Sequence, residues 1–117
     1  MSNSINIETT LYRLLAQGYE NEVVEFKEAK TQYDFNKLGK YFSALSNEAN
    51  LNGKDVAWLV FGIKDSDKSY VNTSFRKSFQ QLQSLKAEIA NHTTNRITFK
   101  EIHEVLNPKG RVVLFEI

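Results

Sequence analysis

The chain has 117 residues, of which 41% are hydrophobic and 25% are charged, and it contains no cysteine. This apolar content is enough for a core, and no apolar stretch reaches the roughly 18 residues that a membrane-spanning helix needs. The absence of cysteine excludes disulfides, zinc–thiolate sites and cysteine nucleophiles. The formal net charge is +1, which does not indicate a strongly cationic protein. We therefore expect one soluble domain over residues 1–117. The cytoplasm is its expected location, because the N-terminus lacks a secretion signal.

The first predicted elements are a short helix and a strand. Apolar residues at helical spacing predict a helix over residues 9–17, with Glu8 favourably placed in its first turn. Residues 22–27, with the sequence EVVEFK, combine β-formers with charged residues. That pattern predicts a strand with one buried side.

A second helix is predicted to begin behind Asp34, which has the side chain of a good N-cap. Apolar residues follow at spacings of three and four as far as Ala49, and they form a stripe along one side. Lys37 and Lys40 point away from that stripe. We expect the stripe to pack on the core and the lysines to lie elsewhere on the helix surface.

The run VAWLVFGI over residues 56–63 predicts a strand that is buried on both faces and therefore central in a sheet. Residues 64–74 are polar and predict a loop. Apolar spacing from residue 79 onward predicts a third helix that ends near Asn91.

The remaining residues predict a hairpin. The runs 97–105 and 111–117 flank the sequence Asn-Pro-Lys-Gly, which is typical of a reverse turn. The element order predicts an α+β domain in which about three helices pack on a mixed sheet. Because the chain stops on the strand-like VVLFEI, we expect it to be the N-terminal fragment of a longer protein.

Acidic residues near the first strand suggest a metal site. Glu25 and Lys27 are two residues apart on that strand and should project from the same face. A carboxylate holding Mg²⁺ or Mn²⁺ beside an ammonium group suits phosphodiester cleavage. Asp65 follows the central strand, and it would join Glu20 and Glu25 as a third oxygen ligand if the two strands are neighbours. Alternatively, these charges belong to a solvated strand edge and a polar turn.

Basic residues in or near the loops form a second candidate site, with Tyr70 and Phe75 between them. Cations of this kind bind phosphates, and aromatic rings stack on unpaired bases. Scattered cations are also typical of any soluble surface. The predicted nucleic-acid-binding set is Lys54, Lys64, Lys68, Arg76 and Lys77.

Three segments in this order resemble a known family. They are Glu20-x4-Glu25-Phe26-Lys27, the helical YFSALSN of residues 41–47, and LVFGIKD of residues 59–65. This combination resembles the Schlafen AlbA domain, which is also labelled divergent AAA. The closing VVLFEI is similar to a later strand of the family, so the resemblance extends over nearly the whole chain.

The resemblance implies a function and a site. Bacterial members are usually N-terminal modules of proteins described as transcriptional regulators or ATP-binding proteins, with an implied role in binding nucleic acid. Related domains of animal Schlafen proteins form an endoribonuclease with three acidic residues, and Glu20, Glu25 and Asp65 match that set by position.

Three hypotheses follow. The leading one is a nucleic-acid-binding module of a bacterial transcriptional regulator or ATP-binding protein, with DNA as the expected ligand. The second is an endoribonuclease that uses Glu20, Glu25 and Asp65 to hold Mg²⁺ or Mn²⁺, with Lys27 or Lys64 assisting at the phosphate. The third is a protein-interaction or dimerisation domain that forms a homo-oligomer.

Overall fold

The computed structural model describes residues 3–16, 22–31, 33–54, 56–91 and 99–117. None of the helices in these ranges has the length and hydropathy of a membrane-spanning segment. The described elements confirm the predicted α+β fold. In chain order they are α1 (Asn3–Ala16), β1 (Glu22–Lys27), α2 (Phe35–Leu51), β2 (Val56–Phe61), α3 (Phe79–Asn91), β3 (Glu101–Asn107) and β4 (Gly110–Glu116).

The four strands form one mixed sheet in the order β1-β2-β4-β3. β1 pairs in parallel with β2, and β4 pairs antiparallel with both β2 and β3. The structure confirms the predicted central position of β2 and the predicted hairpin, which closes through the pair Asn107 and Gly110. β3 begins at Glu101, later than the predicted start at residue 97, and residues 92–98 lie outside the described ranges.

Helices cover both faces of the sheet. Alternate side chains of β2 point to opposite faces, as strand geometry requires. Leu59 and Phe61 join the core cluster that contains the buried residues of α2 and α3. Trp58 and Val60 join the cluster beneath α1. The structure is therefore layered, with α2 and α3 on one side of the sheet and α1 on the other.

The helix ends agree with the sequence analysis at α2 but not at α1. The Asp34 side chain accepts a hydrogen bond of 2.9 Å from the backbone N–H of Lys37, which confirms the predicted N-cap. α1 begins at Asn3, and its first turn contains no acidic residue. The predicted place of Glu8 in the first turn was therefore wrong, because the helix starts well before residue 9.

β2 is shorter than predicted because Gly62 ends it. This residue has a φ of +100°, and a Cβ atom there would lie 2.6 Å from the carbonyl oxygen of Arg111. The backbone N–H of Gly62 donates a 2.9 Å hydrogen bond to the carbonyl of Lys27. Without a side chain, the chain can turn here while remaining in contact with both neighbouring strands.

Arg111 on β4 is buried, and it holds the segment between β2 and α3. Its guanidinium donates hydrogen bonds to the backbone carbonyls of Thr73 at 3.2 Å, Phe75 at 2.7 Å and Arg76 at 2.9 Å. It also pairs with Glu104 on β3 at 2.6 Å. One side chain thus joins the hairpin to the 73–76 segment and satisfies carbonyls that would otherwise be costly to bury.

Two glycine substitutions should have opposite effects on stability. Gly62→Ala forces an L-residue into the left-handed region against a backbone oxygen, so we expect it to lower the free energy of unfolding by at least about 1–3 kcal/mol. Gly39 lies inside α2. Apart from its chain neighbours and the nearby helix backbone, no atom of the described residues lies within 4 Å of the position that an added Cβ atom would take. Gly39→Ala should raise the same free energy by about 0.5–1 kcal/mol. Urea denaturation of both variants is the measurement, and equal effects would contradict this account of Gly62.

Removing the Arg111 guanidinium should destabilise the domain. We expect Arg111→Met to lower the free energy of unfolding by roughly 2–4 kcal/mol, because three backbone carbonyls and Glu104 lose their charged partner. The exposed Lys77 provides a matched control, and Lys77→Met should change stability by less than about 0.5 kcal/mol. Urea denaturation measures both, and similar stabilities for the two variants would contradict the role given to Arg111.

Candidate functional site

The carboxyl ends of β1 and β2 lie side by side, with Lys27 paired to Phe61 in the register. Ligands commonly bind at this end of parallel strands. The backbone that follows β1 is held in place there. The Thr73 hydroxyl donates to the carbonyl of Ala29, and the Ser74 N–H donates to the carbonyl of Lys30 at 2.7 Å. Side chains at this end of β1 therefore project from a well-anchored backbone.

The structure places Glu25 and Lys27 on the same face of β1, as their spacing predicts. The Lys27 ammonium lies 3.6 Å from the Glu25 carboxylate. Glu22 in the same acidic segment has a structural role instead. Its carboxylate is 2.5 Å from Arg13 of α1 and accepts a 3.1 Å hydrogen bond from the indole of Trp58.

Asp65 lies in the turn that follows β2. Its side chain is 71% exposed and lies 3.4 Å from the ammonium of Lys68. That ammonium is 5.0 Å from the centre of the Phe26 ring, which belongs to the core cluster beneath α1. The Glu25 carboxylate is 3.6 Å from the ammonium of Lys27, so the two carboxylates have different lysine partners.

Two of the three carboxylates predicted to hold a metal, those of Glu25 and Asp65, belong to described residues. Within the described ranges, no group of three His, Asp or Glu side chains is arranged to hold a metal. Glu25 lies beside Lys27 and Asp65 beside Lys68, so each carboxylate faces an ammonium group. Glu20 lies outside the described residues. The three-carboxylate site with Mg²⁺ or Mn²⁺ therefore stays a prediction.

The predicted basic set divides into exposed side chains and side chains with internal partners. Lys64 and Lys77 are exposed, and Lys54 is partly buried. The Arg76 guanidinium forms two hydrogen bonds with the Glu88 carboxylate, at 2.6 and 2.9 Å. Lys68 is the partner of Asp65 described above.

The two aromatic residues suggested for base stacking, Phe75 and Tyr70, differ in how deeply they are buried. Phe75 is only 5% exposed and packs edge-on against Phe61 and Phe115 in the core. It therefore does not present a face to a base, and that expectation was wrong. Tyr70 is half-buried against the core beneath α1, and the ammonium of Lys109 lies 5.8 Å from its ring centre.

A basic cleft that the sequence analysis did not identify lies between the end of β1 and the first half of α2. It has a volume of about 570 Å³. We call it the lysine cleft, and its lining residues are Lys27, Tyr33, Lys37, Lys40, Tyr41 and Ala44. The usable sequence signal was the pair of lysines three residues apart at the start of α2, because such residues lie on one helix face.

Lys27 and Tyr33 keep their protons in the lysine cleft. A hydrogen bond with the Tyr41 side chain raises the pKa of Lys27 above its ordinary value of 10.5, against the opposing effect of partial burial, and Glu25 adds to the rise. Burial raises the pKa of the Tyr33 hydroxyl, and the nearby Tyr41 raises it further. At neutral pH the cleft therefore contains a protonated lysine and a protonated tyrosine hydroxyl that is hydrogen-bonded to Tyr41.

A second groove runs along the other side of α2 and has a volume of about 650 Å³. Its lining includes Phe35, Phe42 and Ile89, and it shares Lys40 and Ala44 with the lysine cleft. Lys40 is the only cation on its described lining. The lysine cleft, with three lysines, is therefore the better candidate for a charged ligand.

No curated protein and no solved structure matches the chain. The model of the family described as Schlafen, AlbA_2 matches residues 20–117. That range includes all four described strands and every residue that lines the lysine cleft. Since the match covers well over half of the sequence, the chain belongs to the Schlafen AlbA_2 family.

Proposed function

We propose that this domain is a nucleic-acid-binding module whose lysine cleft holds phosphate groups. The observation that carries the proposal is the convergence of Lys27, Lys37 and Lys40 on one concave space. Lysine ammonium groups bind phosphates as point charges and supply most of the affinity of non-specific nucleic-acid binding. Membership of the Schlafen AlbA_2 family agrees with a nucleic-acid-related or AAA-like module.

The chemistry of the cleft supports binding more than cleavage. A general base works best with a pKa near the working pH. The pKa values of Lys27 and Tyr33 are both raised, so they lie further above neutral pH than the ordinary values do. Glu25 is already beside the Lys27 ammonium. These groups are suited to holding a phosphate and are poorly suited to abstracting a proton from an attacking nucleophile.

We further propose DNA as the ligand and a transcriptional regulator as the setting of the domain. This finer assignment is supported by the resemblance of the Glu20 to Asp65 segments to the bacterial N-terminal modules. The cleft itself is compatible with DNA and RNA, because its lysines bind the phosphates common to both. Comparing the two nucleic acids under identical salt conditions therefore forms part of the test.

Binding should depend on salt and on the lysines of the cleft. We expect fluorescence anisotropy with labelled DNA and RNA to show affinity that falls as salt rises, because phosphate contacts release counterions. The double variant Lys37→Gln with Lys40→Gln should weaken binding about tenfold at low salt and reduce the log–log salt slope by about two.

The matched control changes the same amount of charge in the loops. Lys64→Gln with Lys77→Gln removes two exposed lysines that do not line the cleft. We expect its effect on affinity to be less than about threefold. Equal weakening by both double variants would contradict the assignment to the cleft, and an absence of binding at low salt would contradict the proposed function.

Affinity should be insensitive to pH near neutrality. Because the pKa of Lys27 is raised, its charge is fully present below its ordinary pKa of 10.5 and is lost only as the pH rises through a higher value. The phosphodiester keeps its charge over the same range. We expect dissociation constants at pH 6.5 and 8.5 to agree within about twofold, because Lys27 and the phosphodiester both keep their charge over that range. A marked loss of affinity at pH 8.5 would show that a group outside the cleft controls binding.

A further inference from the structure

The lysine cleft contains two aromatic rings as well as three cations. The rings of Tyr33 and Tyr41 have centres 6.3 Å apart and are tilted by 52°. Tyr33 also packs against the buried ring of Phe61, with centres 4.8 Å apart. Both tyrosines are half-buried, so each keeps part of its surface open to solvent. The cleft thus combines positive charge with aromatic surface that the core holds in place.

We infer that the lysine cleft receives an unpaired nucleotide, with its base against the tyrosine rings and its phosphate on the lysines. The ligand class is therefore single-stranded nucleic acid in preference to a duplex. This inference rests on the proposed function, and it adds the kind of strand that the cleft selects.

The shape of the cleft supports this preference. A protein recognises the base edges of a duplex with an element that protrudes into a groove, such as a helix or a β-ribbon. Here the tyrosines line an open recess of about 570 Å³, a volume on the scale of small-ligand pockets. The bases of a duplex are stacked inside it and cannot enter such a recess, whereas an unpaired base can.

The combination of residue types supports the preference independently. Proteins that bind single strands without sequence preference combine a positive groove with aromatic rings on which bases stack. The Lys27 ammonium lies over the Tyr41 ring, 4.5 Å from its centre, so this cation covers one face of the ring. The hydroxyl of Tyr33 is hydrogen-bonded to the Tyr41 side chain, so the two rings are linked at the wall of the cleft.

The first test changes only the ligand. Fluorescence anisotropy at low salt compares three labelled probes with the unaltered chain: oligothymidylate, an abasic strand with the same number of phosphates, and a duplex of the same length. We expect oligothymidylate to bind roughly tenfold more tightly than the abasic strand, because stacking on aromatic side chains adds to the phosphate contacts. The duplex should bind about as weakly as the abasic strand, or more weakly.

The second test changes the rings. Tyr41→Leu should remove most of the difference between oligothymidylate and the abasic strand, and Tyr41→Phe should retain it. Tyr12 provides the control, because it is 51% exposed on α1 and lies outside the cleft. Tyr12→Leu should leave the difference unchanged. Circular dichroism of each variant confirms that the fold is intact.

The outcomes separate this inference from the proposed function. Equal, salt-dependent affinity for oligothymidylate and the abasic strand overturns the inference and leaves the phosphate-binding function standing. Tighter binding of the duplex than of oligothymidylate has the same consequence. Absence of binding to all three probes overturns both.

Discussion

Arg111 is the contact on which the arrangement of the loops depends. Its guanidinium satisfies three backbone carbonyls of the 73–76 segment while pairing with Glu104 on the neighbouring strand. Thr73 and Ser74 in that segment then bond to the backbone that follows β1. A single buried side chain on β4 therefore stabilises the backbone that follows β1. It does so indirectly, because it binds the 73–76 segment, which in turn bonds to that backbone.

The lysine cleft builds on this support. Lys27 is the last residue of β1, and its backbone carbonyl accepts a hydrogen bond from the N–H of Gly62. Tyr33 packs against the buried ring of Phe61. Lys37 and Lys40 belong to α2, which Asp34 caps. Binding groups on strands and helices are positioned more accurately than groups on loops. The lysines of the cleft are therefore better placed for a ligand than the exposed lysines of the 64–77 region.

Much of the fold was predictable because its signals are local. The apolar run of β2 and the N-cap of α2 depend on residues that are close in sequence, and both predictions were confirmed. The end of β2 was mispredicted by two residues. The run VAWLVFGI continues to Ile63, but the strand stops at Phe61 because Gly62 meets the backbone of Arg111, which is remote in sequence.

The sequence by itself determined the order of helices and strands and the shared face of Glu25 and Lys27, since strand and helix periods are properties of neighbouring residues. Only the tertiary structure decided which of the polar residues meet. Glu25 and Asp65 pair with different lysines, and Phe75 lies in the core. Lys27 of β1 lines the same cleft as Lys37 and Lys40 of α2. The physical reason is that these side-chain contacts depend on how α2 packs on the sheet and on where the loop after β2 turns. Both are set by contacts between residues distant in sequence.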